Sequence, residues 1–64
     1  MATFTKREDE VVSLVDRGLS DHGIAERLRI SYRTVRTHLD RMYRRFHVQS
    51  RGELVALWRR TSTR

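Results

Sequence analysis

Apolar residues recur at helical spacing in four stretches of the chain, and nowhere do they alternate with the period of two that a strand requires. The third stretch is the clearest: Val35, Leu39, Met42 and Phe46 stand at i, i+4, i+7 and i+11 and share one helix face. The first holds Val11, Leu14 and Val15 with Val12 beside them, the second Ile24, Ala25 and Leu28, and the fourth Leu54, Val55, Leu57 and Trp58. With no proline and three glycines, boundaries must come from caps. Thr5-Lys6-Arg7-Glu8 and Ser50-Arg51-Gly52-Glu53 both read as capping boxes, in which the hydroxyl accepts from the amide three residues on while the carboxylate reaches back. Ser20 and Ser31 suit the N-caps of the second and third helices.

Helix ends are equally marked. Gly18 suits the left-handed residue beyond the first helix, with Leu19 closing the corner. Arg29 falls where a turn residue needs positive φ, which arginine adopts at a cost of about 1 kcal/mol, and His47 falls at a similar place after the third helix. Gly23 should loosen the second helix by about 0.8–1.0 kcal/mol relative to alanine. The expected fold is all-α: one compact four-helix domain over residues 1–64 with an ordered core of about 4–60. The second helix should have about two turns, the third should run from Tyr32 to Arg45 or Phe46, and Thr61 to Arg64 should fray.

Charge divides the chain unevenly. Arg29 to Arg51 carries seven arginines against one acid, Asp40, and so accounts for the whole net charge of +6. The third helix thus packs on one face and is cationic on the other. A short helix, a three-residue turn and a longer basic helix make a helix-turn-helix candidate. Ala25 is small where the two helices would cross, Leu28 and Ile30 bracket the turn, and Val35 packs the second helix of the pair onto the first. A basic helix of this kind meets a polyanion, and a recognition helix in the DNA major groove is the commonest small-domain form.

Other chemistries lack their residues. The chain has no cysteine, and His22, His38 and His47 stand 16 and 9 apart, without metal-ligand spacing. There is no Gly-rich phosphate loop and no evident nucleophile–base pair, so no enzyme, metal or cofactor is expected. No apolar run approaches the roughly 18 residues of a membrane span, and no signal peptide opens the chain. The expected location is the cytoplasm, with the nucleoid, and no membrane or small-molecule ligand is expected as a partner. At 64 residues the core is small.

Residues across the whole chain carry a family likeness: Thr5-x-Arg7-Glu8-x-Glu10-Val11, Gly18-Leu19-Ser20, Ile24-Ala25-Glu26-Arg27-Leu28, Ile30-Ser31, Thr34-Val35-Arg36-x-His38-Leu39 and Val48-x-Ser50-Arg51-x-Glu53-Leu54-Val55. Over residues 4 to 60 the chain resembles the LuxR/GerE-type DNA-binding domain of bacterial transcription regulators. The resemblance implies a third helix in the major groove and a fourth helix that pairs two copies on a pseudo-palindromic site, with RNA polymerase as a further candidate partner. Four positions depart from the family pattern: Gly23, Phe46, Trp58 and Asp40, the last standing where several relatives carry a basic residue.

Within the third helix the row opposite the apolar stripe is Arg33, Thr37, Asp40 and Arg44, flanked by Arg36 and Arg41. Arginine grips guanine bidentately and the threonine methyl meets thymine, so Arg33, Arg36 and Thr37 are the candidate base readers. Thr34, Arg41, Arg44 and Tyr32 are candidate phosphate contacts, with Arg45 either a phosphate contact or merely solvated. Asp40 is assigned to holding Arg36 or Arg44 in place, and His38 to the packed interior. In the fourth helix Gly52, Val55 and Trp58 are the candidate dimer contacts, against the alternative that Trp58 caps the monomer core.

Two other readings compete. A promoter-reading sigma-factor region shares the Ile-Ala-Glu and Thr-Val-Arg phrasing but not the apolar fourth helix. A basic module that binds an acidic protein would show no salt-dependent preference for duplex DNA. The chain reads equally as a stand-alone regulator or as the output domain of a longer one, and its Met1-Ala2 opening fits both.

Overall fold

The computed structural model describes residues 3–62, which form α1 (Lys6–Asp16), α2 (Asp21–Leu28), α3 (Tyr32–Phe46) and α4 (Arg51–Ser62). Each predicted helix is present, and α3 has the bounds its apolar stripe predicts. Val11, Val12, Ile24, Val35, Leu39, Met42 and Leu54 are fully buried, so all four helices supply the core. Val15, Leu28, Phe46, Val55 and Trp58 pack against its edge. Phe46 meets Phe4 with ring centroids 4.6 Å apart, which ties the segment before α1 to the end of α3.

The N-caps follow the sequence closely. Thr5 and Glu8 form the reciprocal capping box, with bonds of 3.1 and 3.0 Å, and Ser20 and Ser31 cap α2 and α3 through the amides of Gly23 and Thr34. The second box differs. Ser50 Oγ accepts from the Glu53 amide at 3.2 Å, but the Glu53 carboxylate takes the amide of Gln49 at 2.6 Å, not that of Ser50. The chain entering α4 is therefore stapled one residue earlier than the pattern predicts.

Three helices end in the same way. After α1, α2 and α3 the left-handed residues are Gly18 (φ 91°), Arg29 (φ 58°) and His47 (φ 58°). Each is followed by an apolar residue, Leu19, Ile30 or Val48, whose amide donates back to the carbonyl five residues before it, that of Leu14, Ala25 or Tyr43. This Schellman closure seats the apolar residue against the core, so the helix stop and the next corner are one device. Only Gly18 adopts its conformation without steric cost. Arg29→Gly should therefore stabilise the domain by about 0.5 kcal/mol, the relief of strain exceeding the extra unfolded-state entropy of glycine. Melting should move up by roughly 2–4 °C. A lower melting temperature would mean that the arginine side chain itself supports the turn.

At the C-terminal end Thr61 and Ser62, expected to fray, are helical. The Thr61 hydroxyl donates to the carbonyls of Leu57 and Trp58, and α4 continues to Ser62. Met1, Ala2, Thr63 and Arg64 lie outside the described residues, and with them the rest of that expectation. Gly23 has room for a methyl group, its added Cβ meeting Ser20 Oγ at 3.5 Å in ordinary contact.

Candidate nucleic-acid interface

α2 packs across α3 and leaves the opposite side of α3 open. Val35, Leu39 and Met42 face inward with no exposure, which turns Arg33, Thr37, Arg41 and Arg44 outward. Asp40 and Arg36 lie half-buried at the border of this surface. Thr34, in the first turn, bonds through its hydroxyl to Ser31 Oγ at 2.8 Å. Tyr32 is 44% exposed and lies flat on His22, with ring centroids 4.2 Å apart. The two aromatic rings thus bridge the starts of α2 and α3. His38 is half-buried.

The arginines of residues 29–51 divide by partner, and the division is not the one expected from sequence. Arg45, assigned to phosphate or solvent, grips Glu8 of α1 with both terminal guanidinium nitrogens, Nη1 and Nη2, at 2.9 and 2.6 Å. It also donates to the Thr3 carbonyl at 3.0 Å, and its guanidinium lies 4.5 Å from the Phe46 ring centroid. It is a strut between α3 and α1. Arg51 ion-pairs with Asp21 Oδ1, and Arg36 donates to Asp21 Oδ2 at 3.1 Å. Asp40 approaches Arg36 Nη2 at 3.6 Å. Asp40 is therefore placed on Arg36 and not on Arg44.

The guanidinium groups of Arg29, Arg33, Arg41 and Arg44 form no hydrogen bond or ion pair among the described residues. Internal acids thus engage three of the seven arginines of the block, Arg36, Arg45 and Arg51, and leave four, of which Arg33, Arg41 and Arg44 lie open along one helix. Unpaired guanidinium groups on an exposed helix face are suited to bind an external polyanion.

Glu8 and Asp21 are the two buried acids. Burial pushes the Glu8 carboxyl up, but the Arg45 guanidinium and the bonds with Thr5 outweigh it and hold the group below its ordinary range. Asp21 behaves alike: burial raises it, while Arg51 and Arg36 together bring it below the usual aspartate value. The Arg36 guanidinium is correspondingly raised, first by Asp21 and then by Asp40. Neither pairing was legible beforehand. Glu8 is recognisable only as a capping residue and Asp21 only as an acid in a first turn, because their partners lie 37, 15 and 30 residues away.

The α4 residues take different places. Gly52 is exposed, and an added Cβ there would have only Ser50 Oγ nearby, at 3.9 Å. Val55 is half-buried at the side of the helix. Trp58 is half-buried against the core, and its indole N–H donates to Asp9 Oδ1 at 2.7 Å. That bond fastens α4 to α1, with help from the Arg59–Asp16 ion pair. Among the described residues no cluster of His, Cys, Asp or Glu has the spacing to hold a metal ion, and no helix is long and apolar enough to cross a membrane.

Comparison with known proteins bears on this surface. Residues 2–58 match the family model of the luxR family of bacterial regulatory proteins. A Mycobacterium bovis protein named as an HTH-type transcriptional regulator is 47% identical over 53 residues, covering 83% of this chain and 6% of that protein. The monoamine regulon transcriptional regulator of Klebsiella aerogenes is 42% identical over 86% of this chain and 24% of its own length. The crystal structure of the response regulator ChrA, from a heme-sensing two-component system, superposes with a TM-score of 0.82 at 31% identity, over 97% of this chain and 30% of that one. The chain thus spans a small part of each of these longer proteins.

Proposed function

The chain belongs to the luxR family of bacterial regulatory proteins and is a helix-turn-helix DNA-binding domain of a transcription regulator, not an enzyme; from that premise we propose that α3 enters the major groove of a specific duplex site. The observation that carries this reading is the row of three unpaired arginines on the open side of α3. Arg33 and Arg44 are separated by roughly 16 Å along the helix, enough to reach both phosphate walls of a groove about 12 Å wide. Between them Thr37 and Arg36 face the base edges. In this reading Arg33, Arg36 and Thr37 read bases, while Thr34, Tyr32, Arg41 and Arg44 hold phosphates.

The proposal extends to a pair of domains. Two copies meet through α4 on a pseudo-palindromic site, with half-sites one helical turn apart. Gly52 lies nearly opposite the buried Leu54 on the helix and permits close approach, with the open edge of Val55 beside it and that of Trp58 farther along the helix, toward the Leu54 side. The contact area of one short helix is small, so DNA drives the pairing.

Selection of sites from random duplexes, followed by titration at several salt concentrations, tests the reading. A recurring sequence should emerge, and affinity should fall with a log–log salt slope of about −0.9 for each phosphate-bound cation. Equal binding to every duplex and to heparin would replace it with a non-specific basic module. Pairing is tested by Gly52→Glu, at an exposed position where an added Cβ makes only ordinary contact with Ser50 Oγ. The variant should keep or slightly raise helix stability, by about 0.5 kcal/mol, yet lose joint occupancy of paired half-sites. Unchanged occupancy would move the dimer contact away from α4.

A further inference from the structure

Asp21 is an acid buried beside a surface that is to meet a polyanion. Such a group repels phosphates and so lowers affinity for every duplex alike, which points to an effect on discrimination. Its two oxygens are both taken: Oδ1 by Arg51 of α4 and Oδ2 by Arg36 of α3. Three helices therefore converge on one carboxylate, and α4 prevents it from turning away from α3.

We propose that Asp21 is a specificity-determining positioning residue, whose fixed carboxylate aims the Arg36 guanidinium at a base edge and keeps it from the nearest phosphate. The inference rests on the reading above that Arg36 is a base reader. An unrestrained arginine near DNA is drawn first to phosphate, since backbone oxygens receive most protein–DNA hydrogen bonds. To resist that pull a guanidinium needs an anchor that is itself held. Asp40 is a poor one, with its side chain 47% exposed and 3.6 Å from Arg36. The Asp21 side chain is 9% exposed and lies 3.1 Å from Arg36 Nη1. With one N–H of Nη1 directed at Asp21 and one of Nη2 at Asp40, three of the five guanidinium N–H groups stay free, enough for a base edge. Arg51 acts through Asp21: it keeps the carboxylate fixed and compensated while Arg36 turns its remaining donors outward.

The test is a double-mutant cycle on the site selected from random duplexes and on a random duplex, with Asp21→Asn, Arg36→Ala and both together. Each single change should reduce the cognate-to-random ratio roughly tenfold, with the loss of preference at the same base pair, and the double variant should lose no more than Arg36→Ala alone. Binding of Asp21→Asn to random DNA should hold or rise. If Arg36→Ala weakens cognate and random DNA equally, the base-reading role of Arg36 falls and the role of Asp21 with it. If Arg36→Ala is selective but Asp21→Asn is additive to it, or weakens both duplexes alike, only the positioning role falls. A readout on the unaltered protein covers the case in which Asp21→Asn does not fold. Arginine Nε relaxation in the DNA-free domain should show Arg36 ordered like the backbone, with Arg33 and Arg44 below an order parameter of about 0.6. Arg36 as mobile as Arg33 overturns the proposal.

Discussion

Arg45→Ala should destabilise the domain by about 2–3 kcal/mol at neutral pH, and the penalty should shrink as pH falls below the ordinary carboxylate value of about 4. The change strands the buried Glu8 carboxylate, which then keeps only its capping bonds with Thr5. Breaking a buried pair costs about 3–5 kcal/mol when both partners are enclosed, but the Arg45 side chain is 46% exposed and solvent screens part of the loss. Total stability for a chain of this length is on the order of 3–10 kcal/mol, so the variant should melt at least roughly 10 °C lower.

The pH dependence identifies the cause. In the unaltered protein the Glu8 and Asp21 pKa values are depressed by folding, so their contribution is fully present above the unfolded value of about 4 and is lost as pH falls through the folded values. Removing Arg45 leaves burial, which raises the Glu8 pKa, opposed only by the Thr5 capping bonds, so the carboxyl titrates higher than in the parent. Protonation of Glu8 therefore sets in at higher pH in the variant than in the parent, and the gap between them closes as pH falls toward the depressed folded value of the parent. Urea unfolding of both proteins between pH 7 and about pH 3 measures the gap. A gap constant across that range would assign the role of Arg45 to its packing on Phe46 instead of its charge.

Arg41→Ala combined with Arg44→Ala should weaken duplex binding roughly 30-fold at 0.15 M salt and make the log–log salt slope shallower by about two units. Both arginines are exposed and unpaired among the described residues, so their removal breaks nothing inside the fold. Each phosphate contact contributes roughly a factor of five between 1 M and 0.15 M salt. Because phosphates carry no sequence information, cognate and random DNA should lose affinity together. Fluorescence anisotropy over a salt series on both duplexes reads this directly. A loss confined to the cognate site would turn Arg41 or Arg44 into a base reader, and an unchanged slope would place both outside the interface.

Local interactions make much of this domain readable in its sequence. Thr5, Ser20 and Ser31 cap amides three residues away, and Gly18, Arg29 and His47 turn the chain within a single residue. The stripe Val35, Leu39, Met42 sets which side of α3 packs and therefore which side is open. The departures are few and local too: Glu53 reaches Gln49 where Ser50 was expected, and Thr61 prolongs α4.

The roles of the arginines were not readable in the same way. Helical periodicity places Arg36, Arg44 and Arg45 on faces, but it says nothing of what stands across from them. Arg45 looks no different from Arg44 in sequence, yet the crossing of α3 over α1 brings it to Glu8, while Arg44 meets no partner among the described residues. Trp58 likewise suits either an interface or a core, and the position of Asp9 on α1 settles where its indole N–H goes. Caps, turns and stripes depend on neighbours within one or two turns, so the order of residues alone determined the four helices and the basic face. Which cations remain free for a polyanion depends on which acids the packed helices bring against them, and only the tertiary structure decided that.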